Sequence, residues 1–185
     1  MDEFSYDLKI PKERVAVLIG KDGCIKKRIE DETKTKIDID SKEGDVIITG
    51  EDALLLYSAR EVVRAIGRGF NPDVATLLLK QDYAFEVIPV TDFVSENHIV
   101  RVKGRIIGRD GKARKIIEEL TEAHICVYGK TVGIIGTHES MSAAKRAVEA
   151  LLSGSPHSSI YKFLEKRRRE MRRSELLGKD DNKFR

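Results

Sequence analysis

Cysteine is rare in this sequence, and long apolar runs and secretory signals are absent. The two cysteines, Cys24 and Cys126, lie far apart without a CxxC spacing, so we expect free thiols in a reducing compartment. No apolar run approaches the length of a membrane span, and no signal-peptide pattern is recognisable. These features predict a cytoplasmic protein that depends neither on disulfides nor on a membrane.

Residue patterns that carry catalysis or bind metals are also missing. The four histidines are scattered without metal-ligand spacing. The segment GRDGKA is not a Walker loop, because Lys112 lacks the preceding glycine spacing and the following Ser or Thr; the glycines also miss the Rossmann pattern. No Ser or Cys has a recognisable elbow or triad context. We therefore expect a protein without catalytic residues, metal or cofactor, which is not an enzyme.

Charged residues, in contrast, are abundant. They make up 35% of the chain, with one Gln, three Asn and no Trp, and many charges with few amides are typical of thermophilic proteins. The net charge of +3 gives only a modest general attraction to nucleic acid. The basic residues are concentrated, however. Residues 101–115 contain seven basic side chains and one acid, and residues 161–173 contain seven basic side chains and two acids.

One supersecondary unit occurs twice in the sequence. The segments Gly20-Lys21-Asp22-Gly23 and Gly108-Arg109-Asp110-Gly111 each lie between an apolar segment and an amphipathic, basic helix pattern. Shifting the sequence by 88 residues superimposes these segments. The same shift aligns three further pairs: Ile29 with Ile117, Thr33 with Thr121, and Ile37 with Ile125. After a two-residue deletion, Val46 aligns with Val132, Ile48 with Ile134 and Gly50 with Gly136. The chain therefore contains an internal duplication.

The second glycine segment has features that suit a phosphate ligand. Its two glycines allow a tight turn and a close backbone approach. Asp110 is a suitable N-cap for the helix that follows, whose first turn offers free N–H groups and a positive dipole end. Five basic residues crowd the same place: Arg105, Arg109, Lys112, Arg114 and Lys115. A GxxG segment by itself is a weak signal, and the alternative interpretation is a structural turn between two packed helices.

The hydrophobic patterns predict the order β-α-α-β-β-α in each half. The expected divisions are a first domain over 1–70, an acidic linker helix over 71–82, a second domain over 83–154, a basic C-terminal helix over 155–173 and a disordered tail over 174–185. Gly104 should weaken or bend a helix, so the path of residues 93–104 is left open.

Two charged segments allow more than one interpretation. Residues 71–98 carry five acidic side chains against Lys80 alone, which is typical of a solvated connector or, alternatively, of a docking face for a basic partner. The basic run from Lys166 to Arg169 is typical of a solvated helix face, or it extends a nucleic-acid footprint.

The duplicated unit resembles the KH domain, whose GxxG loop clamps about four nucleotides of single-stranded RNA or DNA. The order of elements after the loop is similar to type I. The resemblance implies an α+β fold with two tandem type I KH domains, each a three-stranded antiparallel sheet backed by three helices, plus a C-terminal helix. It also implies an apolar groove between the GxxG side and the second strand of each unit, where unstacked bases lie.

The resemblance assigns RNA-binding candidates in both units. In the second unit they are Gly108, Arg109, Asp110, Gly111, Lys112, Arg114, Lys115, Arg101, Lys103, Arg105, Ile107, Ile117 and Ile125. In the first unit they are Gly20, Lys21, Asp22, Gly23, Lys26 and Lys27.

Charge near the second strand distinguishes the two units. The first unit carries Asp38, Asp40, Glu43 and Asp45 there, whereas the second has no carboxylate from Ala123 to Thr137. Carboxylates repel phosphate, so we expect the second unit to be the principal RNA binder.

Three segments point to a particular KH family: GRIIGRDGKARKIIEELT, ICVYGKTVGIIG and SPHSSIYKFLEKRRREM. They resemble the Partner-of-Nob-One family of two-KH ribosome assembly factors, archaeal type, over most of residues 4–173. The resemblance implies binding to the 3′ end of small-subunit rRNA. It also implies two partners, the Nob-type endonuclease and the alpha subunit of archaeal initiation factor 2, and no membrane. Two other functions stay open: a general RNA-binding regulator of messenger RNA or RNA decay, and a protein-interaction scaffold.

Overall fold

The fold repeats one arrangement of strands and helices, as the duplication predicts. The computed structural model describes the backbone of residues 4–181 and the side chains of residues 4–174. The first unit consists of β1 (Phe4–Lys9), α1 (Lys12–Ile19), α2 (Cys24–Thr33), β2 (Lys36–Asp40), β3 (Asp45–Gly50) and α3 (Ala53–Gly67). The short helix α4 (Pro72–Ala75) follows. The second unit consists of β4 (Tyr83–Pro89), α5 (Ile99–Ile107), α6 (Lys112–Thr121), β5 (His124–Tyr128), β6 (Thr131–Thr137) and α7 (His138–Leu152), and α8 (His157–Asp181) is the last described element.

Each unit forms a three-stranded antiparallel sheet backed by helices. The strand orders are β1-β3-β2 and β4-β6-β5, so the last strand of each unit lies in the middle of its sheet. The aligned isoleucines occupy equivalent core positions: Ile37 pairs with Ile48 in the first sheet, and Ile125 pairs with Ile134 in the second. All four side chains are buried. Burying one such side chain stabilises the fold by roughly 1.5–3 kcal/mol, so these positions keep the two units alike.

The polar contacts inside each unit are duplicated as well. The Glu30 carboxylate accepts a hydrogen bond from the Ile37 backbone N–H at 2.7 Å, and Glu118 accepts one from the Ile125 N–H at 2.7 Å. A threonine hydroxyl near the end of each second helix donates to the backbone carbonyl four residues earlier. The duplication therefore extends from the apolar core to the contacts that join α2 to β2 and α6 to β5.

The sheets differ on the face turned away from their own helices. In the first sheet this face carries Asp7, Asp38 and the half-exposed Ile47, and it lies in solvent. In the second sheet it carries apolar residues, among them Phe85 and Ile135, and it packs against the first unit. The second sheet is therefore covered on both faces, which fixes the two domains against each other.

An edge-on aromatic pair lies at the centre of this domain contact. The Phe70 and Phe85 rings are 5.7 Å apart between centroids and nearly perpendicular. Gly133, at the position equivalent to Ile47, leaves room for them, because an added Cβ would lie 2.6 Å from the Phe70 ring. The Arg64 guanidinium lies over the Phe85 ring, 5.3 Å from its centroid. A side chain at residue 133 would separate the two domains.

The expected linker helix over 71–82 differs from the observed segment. The α4 helix is capped by Asn71, whose side chain accepts from the Asp73 N–H at 3.0 Å, and a 3₁₀ turn over Thr76–Leu79 follows. Ala75 and Leu78 are buried in the core of the first unit, so this segment is not a solvated connector. The apolar side chains of the segment pack on the first unit while its carboxylates stay exposed, so the acidic composition does not keep the segment in solvent. The alternative of a docking face for a basic partner stays a prediction.

The undecided segment before the second loop forms two short 3₁₀ turns and then α5. The turns span Val90–Asp92 and Glu96–His98. The helix continues through Gly104, contrary to the expected bend, and the Gly108 N–H donates to the Gly104 carbonyl at 2.8 Å. Neighbouring helical residues therefore outweigh the low helix propensity of one glycine.

The C-terminal helix packs along α6 and α7. Ile160 and Leu164 are buried, and the Arg167 guanidinium donates to the Glu139 carbonyl at 2.8 Å. The basic run is therefore partly engaged with the domain, and its contribution to an RNA footprint stays a prediction. The helix ends at Asp181, beyond the expected boundary at residue 173. Residues 182–185 of the expected disordered tail lie outside the described residues.

Gly133→Ala tests the contact between the domains. We expect this substitution to lower the free energy of unfolding by about 1–3 kcal/mol, because the added methyl group overpacks the Phe70 ring. The matched control is Ile47→Ala at the equivalent exposed position, which should change it by at most ~0.5 kcal/mol. Urea denaturation measures both, and equal effects would contradict the packing argument.

Gly104→Ala tests whether α5 needs a glycine. Nothing lies within 4 Å of an added Cβ at this exposed position. Alanine should therefore raise the free energy of unfolding by about 0.5–1 kcal/mol, through its better helix propensity. A higher thermal unfolding midpoint is the expected readout, and a lower midpoint would show that the backbone there is strained.

Candidate nucleic-acid interface

The two glycine turns have almost identical backbone geometry. Gly108 has φ 72° and ψ 176°, and Gly20 has φ 73° and ψ 176°. Asp110 and Asp22 are both left-handed at φ 54°, and each turn closes with a 3.3 Å hydrogen bond from the second glycine N–H to the first glycine carbonyl. Aspartate tolerates this conformation better than most residues. The duplication thus extends to individual dihedral angles.

Asp110 is not the N-cap of α6, contrary to the sequence prediction. Gly111 occupies that position, and no described side chain accepts a hydrogen bond from the first turn of the helix. The left-handed backbone places Asp110 one residue too early to reach that turn, and its side chain is exposed. The Lys112 N–H donates to the Arg109 carbonyl, but no side chain caps the first turn of α6, so the positive end of this helix is open to an anionic ligand.

The two glycines of the second turn are required for different reasons. A Cβ at Gly108 would lie 2.5 Å from the Ala113 Cβ and 2.7 Å from the Ala113 backbone nitrogen. A Cβ at Gly111 would meet no atom within 4 Å, so only its positive φ favours glycine there. Gly108 therefore brings the turn into direct contact with the first turn of α6.

Basic side chains surround the second turn more densely than the first. Arg109, Lys112 and Lys115 are exposed beside it. Arg114 is partly buried, with its Nε 3.7 Å from the Glu118 carboxylate, and Asp110 is the exposed acid between the glycines.

The first turn has fewer cations available. Lys21 and Lys27 are exposed, and Cys24 replaces the lysine found at residue 112. The Lys26 ammonium lies 3.8 Å from Glu30, which is the same pairing as in the second unit. Both turns are exposed, and the electrostatic difference between them comes mainly from a single lysine position.

The remaining candidates do not all lie beside the turn. Ile117 and Ile125 are core residues, whereas Ile107 is partly exposed. Arg101 is exposed on the outer side of α5, and the Lys103 ammonium donates to the Gly129 carbonyl at 2.7 Å, joining α5 to the β5–β6 turn.

The Arg105 side chain, a predicted RNA contact, is instead bonded to backbone carbonyls of the protein. Its guanidinium donates to the Leu151 carbonyl at 3.2 Å and to the Ser155 carbonyl at 2.6 Å. The His157 ring nitrogen lies 2.8 Å from the Arg105 carbonyl oxygen. Arg105 therefore secures the junction of α7 and α8, on the side of α5 away from Lys103.

Charge near β5 differs from the expectation based on the sequence window. The Tyr128 hydroxyl donates to the Glu13 carboxylate, and Lys130 pairs with Glu96. The bond to Glu13 raises the pKa of Tyr128, and the bond to Lys130 lowers the pKa of the Glu96 carboxylate. The fold thus brings two carboxylates from distant segments to a strand that has none in its own sequence.

The carboxylates of the first unit are also placed differently from the expectation. Asp38, Asp40 and Asp45 lie on the solvent face of the sheet, away from the helices. Asp38 pairs with Lys36 at 3.2 Å, and Asp45 pairs with Lys9 at 3.1 Å. They are partly neutralised and are not aimed at the groove, so they repel a bound strand less than the sequence suggests.

An apolar stripe on α5 includes one predicted site residue, Ile107, and two residues that were not predicted, Val100 and Gly104. Val100, Gly104 and Ile107 follow the four- and three-residue spacing of one helix face, and Val100 is 83% exposed. The absence of a Cβ at Gly104 leaves a flat surface between them. The same spacing was readable in the sequence, although an exposed stripe cannot be told there from a core stripe.

Comparisons with known proteins agree with this geometry. A family model described as "Eukaryotic type KH-domain (KH-domain type I)" matches residues 84–169, and a KH domain model matches residues 5–66. A KH domain-containing protein of Methanocaldococcus jannaschii is 51% identical over 90% of this chain and 75% of its own length. The RNA-binding protein pno-1 of Caenorhabditis elegans is 34% identical over 60% of this chain, which spans only 42% of that relative.

Solved structures show the same arrangement of both domains. A chain of the a/eIF2alpha–aDim2p–rRNA complex from Pyrococcus horikoshii OT3 has a TM-score of 0.86 and 50% identity, over 91% of this chain and 96% of its own. A protein of unknown function from Aeropyrum pernix has a TM-score of 0.89 and 38% identity, over 98% and 100%.

The described part of the chain has neither a cluster of metal ligands nor a membrane-spanning helix. Within residues 4–174, no group of three or more His, Cys, Asp or Glu side chains is arranged to hold a metal ion. None of the helices in the described part is long and apolar enough to cross a membrane.

Gly108→Ala and Gly111→Ala test the geometry of the second turn. Both should lower the free energy of unfolding, because a non-glycine residue held at such a positive φ costs about 1–3 kcal/mol. Gly108→Ala should cost at least ~1 kcal/mol more, since its Cβ also collides with Ala113. Chemical denaturation compares the two variants, and equal losses would contradict the role assigned to Gly108.

Proposed function

Since the chain belongs to the Partner-of-Nob-One (Dim2) family of proteins with two KH domains, we propose that it binds single-stranded rRNA during assembly of the small ribosomal subunit. The observation that carries this proposal is the exposed turn over 108–111, which leads into a helix start without a side-chain cap and lies beside three exposed cations, Arg109, Lys112 and Lys115. The related Pyrococcus complex contains both an aDim2p chain and rRNA, which supports the class of ligand.

A phosphate would bind at the second turn. The close approach of Gly108 to Ala113 brings the turn against the start of α6, so a phosphate there meets the helix N–H groups and the positive end of the helix dipole. Arg109 and Lys112 flank this position and add two charges. The neighbouring phosphates would follow α6 and α5, past Lys115 and the partly exposed Ile107.

The bases would be read by the free edge of β5. This strand pairs only with β6 in the described sheet, and the Ile125 N–H points away from β6 to Glu118. In an antiparallel pair, a residue whose N–H points away from the partner strand also points its carbonyl away. The residue two positions later along the strand has the same orientation. The Ile125 carbonyl and both backbone groups of Val127 are therefore open to base edges. Ile117 and Ile125 support this surface from the core.

We propose the second domain as the principal binder and the 3′ end of small-subunit rRNA as its target. The first choice rests on Lys112, which stands where the first unit has Cys24 and gives the second turn a third exposed cation. The alpha subunit of archaeal initiation factor 2 and the Nob-type endonuclease are proposed partners. The first is supported by the Pyrococcus complex, which contains a/eIF2alpha. We propose that the chain acts in the cytoplasm. There it binds RNA and does not itself catalyse a reaction.

Charge reversal at the second turn tests the proposal. Arg109→Asp and Lys112→Asp should each weaken binding of a single-stranded oligonucleotide from the rRNA 3′ end by roughly tenfold or more, about 1.4 kcal/mol. The matched variant in the first unit, Lys21→Asp, should weaken it less. Lys80→Asp is the control for net charge, because this exposed residue lies outside both grooves. Fluorescence anisotropy measures all four variants.

Salt dependence gives an independent check on the same complex. A module that neutralises ~4 phosphates should show a slope near −3 in a plot of log affinity against log salt. If Lys21→Asp weakened binding more than Lys112→Asp, the first domain would be the principal binder. If none of the variants differed from the Lys80→Asp control, the proposed interface would be wrong.

A further inference from the structure

We propose that the RNA strand held by the second domain continues across the domain boundary into a basic pocket of the first domain. This inference rests on the proposed function and assigns a longer path to the same ligand. The pocket has a volume of about 500 Å³ and lies between the end of β1, the start of α1 and the last turns of α3. Its charged lining residues are Lys9, Lys12, Arg60, Arg64, Arg68 and Glu43.

The arginines of the pocket form a row along one face of α3. Arg60, Arg64 and Arg68 are spaced four residues apart, so they span about 12 Å along the helix axis. Such a row can follow the backbone of an extended nucleic-acid strand.

The carboxylates near the pocket do not balance its cations. Glu61 pairs with Arg60 at 3.1 Å and with Arg64 at 3.2 Å. Glu43 lies 3.7 Å from Lys12, and Asp45 lies 3.1 Å from Lys9. No described carboxylate lies within ion-pairing distance of Arg68. Five cations thus meet three carboxylates, which leaves a positive surface that suits phosphates.

The helix end itself does not require Arg68. Cations near a helix C-terminus often compensate for its exposed carbonyls. Here Arg14 has that function, because its guanidinium donates to the Ile66 carbonyl at 2.8 Å and to the Phe70 carbonyl at 2.6 Å. Arg68 is exposed, so its charge is free to meet a ligand.

The pocket adjoins the proposed RNA groove of the second domain. Gly69 contacts the end of β5 so closely that an added Cβ would lie 2.9 Å from the Cys126 sulfur and 3.0 Å from the Tyr128 Cβ. Arg68 precedes Gly69 in the chain, and the Tyr128 hydroxyl donates to Glu13 next to Arg14. A strand that leaves the groove at the end of β5 therefore meets Arg68 first and then the rest of the arginine row.

Two exposed tyrosines lie at the far end of this path. The Arg60 guanidinium is 5.1 Å from the Tyr6 ring centroid and 5.8 Å from that of Tyr57, and the Tyr57 side chain is 51% exposed. Aromatic rings beside arginine are the usual stacking partners of unpaired bases. Arginines together with exposed aromatic rings favour RNA as the ligand. An acidic protein segment has no bases to stack on the tyrosine rings.

The double variant Arg68→Glu/Lys12→Glu tests the path. With a ten-nucleotide RNA from the rRNA 3′ end, we expect at least tenfold weaker binding and a salt slope shallower by about 1.4, since each of about two phosphates contributes −0.7. Binding of the tightest tetranucleotide within that RNA, which fills only the second-domain groove, should stay within twofold of wild type. Lys80→Glu is the control, and circular dichroism confirms folding. Arg68→Ala replaces the double variant if that variant unfolds.

The outcomes separate this inference from the proposed function. If the double variant binds the ten-nucleotide RNA like wild type while Arg109→Asp does not, the path is wrong and the proposed function stands. An equal loss for the tetranucleotide would also overturn the path. If wild type binds neither RNA, the proposed function itself fails. Binding of polyglutamate to wild type, together with an unaffected RNA affinity in the double variant, would assign the pocket to a protein partner instead.

Discussion

The left-handed backbone of the second glycine turn determines what the molecule can bind. Gly108 comes so close to Ala113 that no side chain fits there, and Gly111 replaces the expected aspartate as the N-cap of α6. These two facts leave the first turn of the helix without a side-chain acceptor while basic residues surround it. The proposed phosphate site follows from this backbone conformation, and the neighbouring lysines and arginines strengthen it through electrostatic attraction.

Packing between the domains sets the extent of the interface. The duplicated units keep the same core and the same turn, but the outer face of the second sheet has become apolar. Gly133 lets the Phe70 ring approach Phe85, and Gly69 lets the first domain reach the end of β5. The close packing of these small residues brings Arg68 next to the groove of the second domain. One domain contact therefore both stabilises the fold and joins the two basic surfaces.

The fold was predictable because its signals are local and repeated. The 88-residue repeat located the core isoleucines, such as Ile29 and Ile117, and the strand and helix order followed from their spacing. The site was less predictable, because its charges depend on long-range contacts. Glu13 reaches Tyr128 from the other domain, and Arg105 turns away to the end of α7. The expectation of a solvated linker over 71–82 was wrong for a similar reason. It rested on the acidic residues, whereas the burial of Ala75 and Leu78 depends on contacts with the rest of the first unit.

The most direct test of the central claim is a titration of the 185-residue chain with a single-stranded rRNA oligonucleotide, followed by NMR of the backbone amides. The account predicts that the largest chemical-shift changes occur at the amides of residues 109–113, where the turn meets the start of α6. The amide of Val127 at the edge of β5 should respond next. Changes confined to the first domain, with residues 109–113 unaffected at saturation, would contradict it.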